Sequence, residues 1–360
     1  MTKLRMGVVG VGHLGKEHAR ILSQLPDVEL VAVVDIDPQQ ARTVARRCGT
    51  RWLTDHRDLL DCVDAATIAV PTSVHRDVAV DFLRRGIPIM VEKPLAATLE
   101  QAEELADLAR TTGTILQVGH IERFNPALLY LEKRPIRPKF VDVERLSGFS
   151  GRSLDIGVVL DLMIHDLDVL TALVKSPVRS VEAVGVSLLG LHEDIANARL
   201  VFENGCVASL TASRVSVKPL RKMRVYSPEG YVSLDFGHRQ ATIIQPSERV
   251  RREGFDPRKL DLSMLGLLKE KLFGHYLEIH EFEMREGDQL TLELSHFVDC
   301  VRTGQRPKVS GEEGRNAIAL ATRILDKIRS HQWEGHADGP IGPTDYPAPL
   351  GPLVPTQEAA

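Results

Sequence analysis

Leu4-Arg5-Met6-Gly7-Val8-Val9-Gly10-Val11-Gly12-His13-Leu14-Gly15 is an apolar run that turns through closely spaced glycines, and a helical stretch over 16–25 follows at once. A second apolar run, 29–34, ends in Asp35. Strand, glycine turn, helix, strand and acid within about 30 residues make a dinucleotide-binding fingerprint in its full context. Gly10 allows the tight turn, Gly12 lets the backbone approach a pyrophosphate, and Gly15 lets the helix pack close to the strand. The phosphates would meet the positive end of the helix beginning near His13 and Leu14. Asp35 can accept hydrogen bonds from both ribose hydroxyls and would repel a 2′-phosphate. NAD is therefore expected over NADP, although Arg42 can reach the same region.

The alternation continues through a helix at 38–48, a fourth strand at 65–70, a helix at 75–85 and a fifth strand at 87–91. A helix at 98–111 and a sixth strand at 114–118 complete it. Ala66-Thr67-Ile68-Ala69-Val70 has no polar alternate face, as expected of a parallel strand covered on both sides. The fold class read from this is α/β, an N-terminal Rossmann doubly wound parallel sheet. After Gly119 the pattern changes. A strand at 139–145 and a helical stretch at 157–174 precede strand-like runs at 178–189, 196–203, 206–213, 222–226, 231–236 and 240–245. Asn204-Gly205 is a hairpin turn signal and Pro228-Glu229-Gly230 another reversal. A C-terminal α/β domain with an open, mainly antiparallel sheet is expected, closed by helices at 288–302 and 310–330. Ser310 and Glu313 offer the second of these a capping box. The expected domains are 1–122, 123–332 and a Pro-rich tail, 333–360, with a charged surface excursion at 248–271.

Composition sets outer limits. With 360 residues, 45 Lys+Arg against 49 Asp+Glu and a net charge of −4, no global basic field points to nucleic acid. No apolar run approaches the roughly 20 residues that span a bilayer. The four cysteines, Cys48, Cys62, Cys206 and Cys300, form no CxxC pair, so neither a disulfide framework nor a structural zinc site is expected. A cytoplasmic protein of two domains fits these limits.

Candidate chemistry collects where the strands end. Glu92-Lys93-Pro94 follows the fifth strand into the cofactor cleft, and Pro94 restricts Lys93 to an extended conformation. Lys93 there can donate to a substrate hydroxyl; a solvated loop lysine is the plain alternative. Pro71, Thr72 and His75 follow the fourth strand, near the expected nicotinamide ribose. Asp161 and His165, spaced i, i+4 on a helical stretch, share a face on which the carboxylate can orient the imidazole. Asp166 and Asp168 leave a solvated acidic helix end as a live alternative, and a metal at Asp161, His165 and Asp168 lacks a diagnostic spacing. His120, Arg123 and Asn125 lie where the chain crosses between domains, as substrate ligands or as a capped linker. Lys222 and Arg224 share one strand face and can meet a diphosphate; a solvated sheet edge is the alternative.

Gly10-x-Gly12-x-x-Gly15, Asp35, Glu92-Lys93-Pro94 and Asp161-x3-His165 together resemble the Gfo/Idh/MocA family of oxidoreductases over roughly residues 4–330. The resemblance implies NAD(P)-dependent oxidation or reduction at a sugar or polyol carbon and an open C-terminal sheet that pairs subunits as a homodimer or homotetramer. It implies that Lys93 and His165 serve proton transfer, supported by Asp161. Asp155-Ile156-Gly157-Val158-Val159 keeps one glycine where the family often has two or three. Within the family, the 119–126 and 212–224 stretches are most similar to enzymes that oxidise C3 of a UDP-N-acetylhexosamine by hydride transfer. The alternatives are an NAD-dependent glycosidase with transient C3 oxidation and a non-catalytic nucleotide-sensing regulator.

Overall fold

The computed structural model describes residues 2–149, 156–189, 191–256, 258, 276–283, 287–334 and 339–345. Six strands form a parallel sheet: β1 (Leu4–Val9), β2 (Val28–Val34), β3 (Arg51–Leu53), β4 (Ala65–Ile68), β5 (Ile89–Glu92) and β6 (Leu116–Gly119). Their order is β3-β2-β1-β4-β5-β6, so the topology switches between β1 and β4, where such sheets take ligands beyond their carboxyl ends. Helices α1 (Gly15–Gln24), α2 (Pro38–Cys48), α3 (His75–Arg84) and α4 (Leu99–Thr112) connect them. Their limits follow from caps. Asp37 accepts the Gln39 N–H, Pro38 occupies the first turn of α2, and Gly49 ends it in the left-handed region. Strands β4, β5 and β6 are buried along their whole length, which is why each reads as an unbroken apolar run. Three residues are too few for β3 to show a period.

Eight strands make the second sheet: β7 (Phe140–Leu146), β8 (Val178–Val186), β9 (Ile195–Phe202), β10 (Val207–Ser213), β11 (Leu220–Ser227), β12 (Gly230–Asp235), β13 (Gln240–Pro246) and β14 (Leu277–Glu283). The order is β14-β13-β12-β11-β7-β10-β9-β8. All pairs are antiparallel but one: β7 and β10 run parallel. The departure comes from α6 (Ile164–Val174), which carries the chain from β7 to the far edge, so that the meander β8-β9-β10 returns alongside β7. The sequence pattern missed β14, an edge strand with four charged or histidine positions among its seven, and the short helix α5 (Pro126–Glu132). Of the excursion expected over 248–271, helix α7 (Glu248–Glu253) is described, while 257 and 259–271 lie outside the described residues.

Helix α6 and helix α9 (Gly311–Arg329) bury Leu170, Leu320 and Ile324 against Leu210, Met223 and Leu234 on the inner face of the second sheet. Ser310 does cap α9 with Glu313 in the expected reciprocal arrangement. Helix α8 (Gln289–Thr303) goes elsewhere. Its Leu290, Leu294, Phe297 and Val298 pack with Met6 and Val8 of β1 and Ala19 and Leu22 of α1. The Val118 N–H then donates to the Val309 carbonyl at 2.9 Å. Residues 123–332 therefore do not keep to the second sheet. In the tail, the Trp333 indole donates to the Gly342 carbonyl at 2.8 Å and Ser187 N–H to the Pro343 carbonyl at 2.8 Å, strapping residues 339–345 to the end of β8. Residues 335–338 and 346–360 of the tail lie outside the described residues. Among the described residues no helix is long and apolar enough to cross a membrane.

Candidate functional site

At the fingerprint, Gly10 has φ +82°, and a Cβ there would meet the Ala69 carbonyl oxygen at 2.7 Å. A Cβ on Gly15 would lie 1.8 Å from the Gly10 carbonyl oxygen. Both glycines are demanded by the protein's own packing. Gly12 is different: nothing lies within 4 Å of its would-be Cβ. Among the described residues the amides of Gly12, His13 and Leu14 donate to no protein group, and all three residues are exposed at the N-terminus of α1. The open side of Gly12 and these free donors fit a dinucleotide pyrophosphate. Asp35 is pinned at the tip of β2, accepting Val11 N–H at 2.9 Å and Asp37 N–H at 3.0 Å, with lone pairs left for ribose hydroxyls. Ile36, beside it, is 92% exposed, an apolar surface for a purine that sequence reasoning overlooked. Arg42 stacks its guanidinium 4.4 Å above the Trp52 ring. Gly12→Ala is therefore expected to unfold at the wild-type temperature yet bind NAD at least about tenfold more weakly. Gly15→Ala should lose stability before any ligand is added, as forced overpacking does; paired melting curves and NAD titrations separate the two.

Lys93 stands just past β5. Its Nζ donates to the Asp161 carbonyl oxygen at 2.8 Å and to Asp161 Oδ1 at 3.3 Å, tying the end of the first sheet to the segment that precedes α6. Glu92 turns into the protein instead. Its carboxylate meets His18 Nε2 at 3.0 Å and accepts the Lys93 N–H at 3.3 Å. Burial opposes its ionisation, but the His18 hydrogen bond and the charges of His18 and Lys93 outweigh that and hold it below the usual carboxylate range. Pro71 and Thr72 remain on the rim after β4. His75 does not: it is buried, with Nδ1 at 2.9 Å from the Pro94 carbonyl and Nε2 at 2.9 Å from the Val70 carbonyl. A neutral imidazole can donate to only one of these. Burial lowers its pKa, and its place is that of a strut between two loops of the cleft rather than a cofactor contact.

Asp161 and His165 are not hydrogen-bonded to each other. The turn Val159–Met163 is a wide π turn that passes into α6 at Ile164, so the i, i+4 spacing does not stack the two side chains as an α-helix would. Asp161 serves Lys93, and His165 lies edge-on to His120, ring centroids 6.1 Å apart. Both nitrogens of the buried His120 and Nδ1 of His165 have no protein partner. Burial, with the charges of Lys93 and Arg123, pushes His120 down to about 3. Burial also drives His165 far below the ordinary histidine range, helped by Lys93, Arg145, His120 and Arg221. Both rings are neutral near pH 7.

Beneath them the acids are structural. Asp166 takes a bidentate pair of bonds from Arg145, at 2.7 and 2.8 Å, and Arg145 also reaches Glu122 at 3.0 Å. Asp168 accepts from Arg123 at 3.3 Å, and burial raises its pKa to about 7. With both aspartates buried, no solvated acidic helix end exists, and Arg123 is a buried strut rather than a substrate ligand. Asn125 likewise caps α5, accepting the Ala127 N–H at 3.1 Å and donating to Glu122 and the Phe236 carbonyl. Asn-Pro at a helix start was the signal that could have revealed it. Among the described residues no group of three His, Cys, Asp or Glu side chains is placed to hold a metal ion.

The basic stretch divides by parity. Lys222 and Arg224 point away from the buried Met223 and Val225, onto the outer face of the sheet. There Arg224 holds Asp142 and Glu144, each at 2.7 Å, and Lys222 lies 3.8 Å from Asp235. Neither is in the cleft. Arg221, on the inner parity, pairs across the strands with Arg145 and projects its charge on His165 and Asp166.

Two family models match the chain: an oxidoreductase family NAD-binding Rossmann fold over residues 4–120 and its C-terminal alpha/beta domain over 151–334. A UDP-N-acetylglucosamine 3-dehydrogenase from Acidithiobacillus ferrooxidans is 38% identical over 332 residues, 90% of this chain and 97% of that protein. A solved structure of such an enzyme from that organism superposes with a TM-score of 0.80 at 32% identity, covering 91% of this chain and 98% of the other. A scyllo-inositol 2-dehydrogenase (NAD(+)) from Bacillus subtilis is 28% identical over 354 residues, 91% of this chain and 95% of that protein. At 18% identity and TM-score 0.76, a levoglucosan dehydrogenase complex with NADH and levoglucosan shares the fold over 91% of this chain and 97% of that one.

Proposed function

Since the chain belongs to the Gfo/Idh/MocA family of oxidoreductases and is an enzyme acting on CH–OH groups, we propose that it oxidises C3 of a UDP-N-acetylhexosamine with NAD. The observation that carries the reading is the Lys93–Asp161 contact beside two neutral, unpartnered histidines, where the ends of the two sheets meet. The fingerprint amides and Gly12 would hold the pyrophosphate and Asp35 the adenosine ribose. When bound, the nicotinamide supplies a two-electron acceptor for the carbinol C–H. The protein's own part is proton management and alignment. Lys93 has three donor protons and commits two to Asp161, which leaves the third for the substrate hydroxyl. His165, neutral and free at Nδ1, takes the hydroxyl proton, while His120 fixes a neighbouring hydroxyl or carbonyl. Asp35 supports NAD over NADP by repelling a 2′-phosphate.

The outer face of the second sheet supports a homodimer or homotetramer. It presents a cross-strand row, Phe140, Tyr226, Tyr231, Ile244 and Ile279, in which Tyr226 and Ile279 are exposed. The test of the activity is a panel of UDP-sugars and polyols with NAD+ and NADP+, read at the reduced-nicotinamide absorbance. Net reduction with UDP-N-acetylglucosamine and NAD+ is expected, with a 3-keto product. No signal with any UDP-sugar would sink the substrate assignment; aglycone release without net reduction would favour the glycosidase.

A further inference from the structure

The fold places two arginines directly opposite each other, Arg221 on β11 and Arg145 on β7. Like charges at such a position cost stability. Arg145 is neutralised by Asp166 and Glu122 beneath α6. Arg221 is exposed and, among the described residues, makes no ion pair, side-chain hydrogen bond or ring contact; the one carboxylate that feels its charge, Asp166, is already held by Arg145. Three neighbours in the basic stretch are answered, Arg214 by Asp194 at 2.6 Å, Lys222 by Asp235, and Arg224 by Asp142 and Glu144; Lys218 is exposed too, but on the loop before β11 rather than on the strand. Arg221 also stands at the site end of the sheet, across from Arg145, whose partner Asp166 follows His165 in the chain.

We propose that Arg221 is a specificity-determining residue that grips the anionic part of the substrate, the diphosphate of the sugar nucleotide; this rests on the nucleotide-sugar reading above. A guanidinium fork matches two phosphate oxygens at once, and a site already wet needs no large desolvation to use it. The cofactor's own pyrophosphate does not compete for this residue, because the free amides at the N-terminus of α1 belong to the first sheet. A neutral polyol would leave Arg221 unanswered, so the same residue selects against such substrates.

The test is steady-state kinetics of wild type, Arg221→Ala and Arg221→Lys with UDP-N-acetylglucosamine and NAD+, together with inhibition by UDP and by uridine. Arg221→Ala is expected to raise the KM for the UDP-sugar and the inhibition constant of UDP by about 10–100-fold, with kcat within about threefold. Arg221→Lys should recover part of the loss, and inhibition by uridine, which has no phosphate, should be the same in all three proteins. Melting curves show whether each variant is folded; removing one of two facing arginines should not lower the melting temperature. An active wild type whose KM and UDP inhibition are unmoved by Arg221→Ala would overturn the assignment of Arg221 alone, as would a fall in kcat with KM unchanged. A wild type that neither turns over UDP-sugars nor is inhibited by UDP would bring down the nucleotide-sugar reading and this proposal with it.

Discussion

Lys93→Met is expected to lower turnover by about 10²–10⁴-fold, the range over which a positioned proton donor or acceptor acts. The variant should fold, because Lys93 and Asp161 are both partly solvated and the carboxylate left behind keeps water. NAD affinity should change little, since the fingerprint amides and Asp35 are untouched. Lys93→Arg should not restore the rate: a planar fork cannot keep two bonds to Asp161 and aim a third proton at the same point as an ammonium. Single-turnover rates beside melting curves and NAD titrations decide the matter. Near wild-type turnover in a folded Lys93→Met protein would remove Lys93 from the chemistry.

Glu293→Gln is expected to make the protein more stable, increasingly so as the pH rises. Glu293 projects from α8 into a fully buried place where neither carboxyl oxygen has a partner. Burial, then the charges of Glu92 and Asp168, raise its pKa well above 4.5. The folded chain keeps this proton at a pH where the unfolded chain releases it. Stability is thus fully present below about 4.5 and is lost as the pH climbs toward the folded value. Each pH unit in that window costs about 1.4 kcal/mol, or roughly 2 °C in Tm for a chain of 360 residues. Glutamine has no proton to lose. The difference in Tm between variant and wild type should close below about pH 4.5, widen as the pH rises above it and level off once the folded carboxyl has ionised; a constant difference would refute this account of Glu293.

The first sheet was legible because its signals are local. Gly10, Gly12, Gly15 and Asp35 sit on adjacent elements, and caps such as Asp37 with Pro38 mark their own boundaries. What sequence does not show is which way a polar residue faces. Arg123 and Asn125 are residue types suited to ligands, yet one braces Asp168 and the other caps α5, because the crossover between sheets is buried. Strand alternation correctly put Lys222 and Arg224 together but left the face open; the apolar Met223 and Val225 between and beside them were the missing clue, and they put Arg221 inward. Asp161 and His165 fail as a stacked pair for a different reason. Their spacing presumes 3.6 residues per turn, and the π turn at Val159–Met163 breaks that premise. The placement of α8 against the first sheet could not be read at all, since nothing local distinguishes an apolar helix face bound for one sheet from one bound for another.

That placement bears on how the chain is born. Met6, Val8 and Leu22 emerge early from the ribosome, but Leu294 and Phe297, which cover them, emerge only after the whole second sheet has been made. The nucleotide-binding half must therefore wait with part of its apolar surface bare, held by local strand–helix contacts alone. Closing so long a loop adds little entropy cost once both ends exist, because that cost grows only logarithmically with length. The delay is one of synthesis, and it exposes the nascent chain to aggregation during that interval. Release of the C-terminal helices, rather than completion of the fingerprint, completes the first domain.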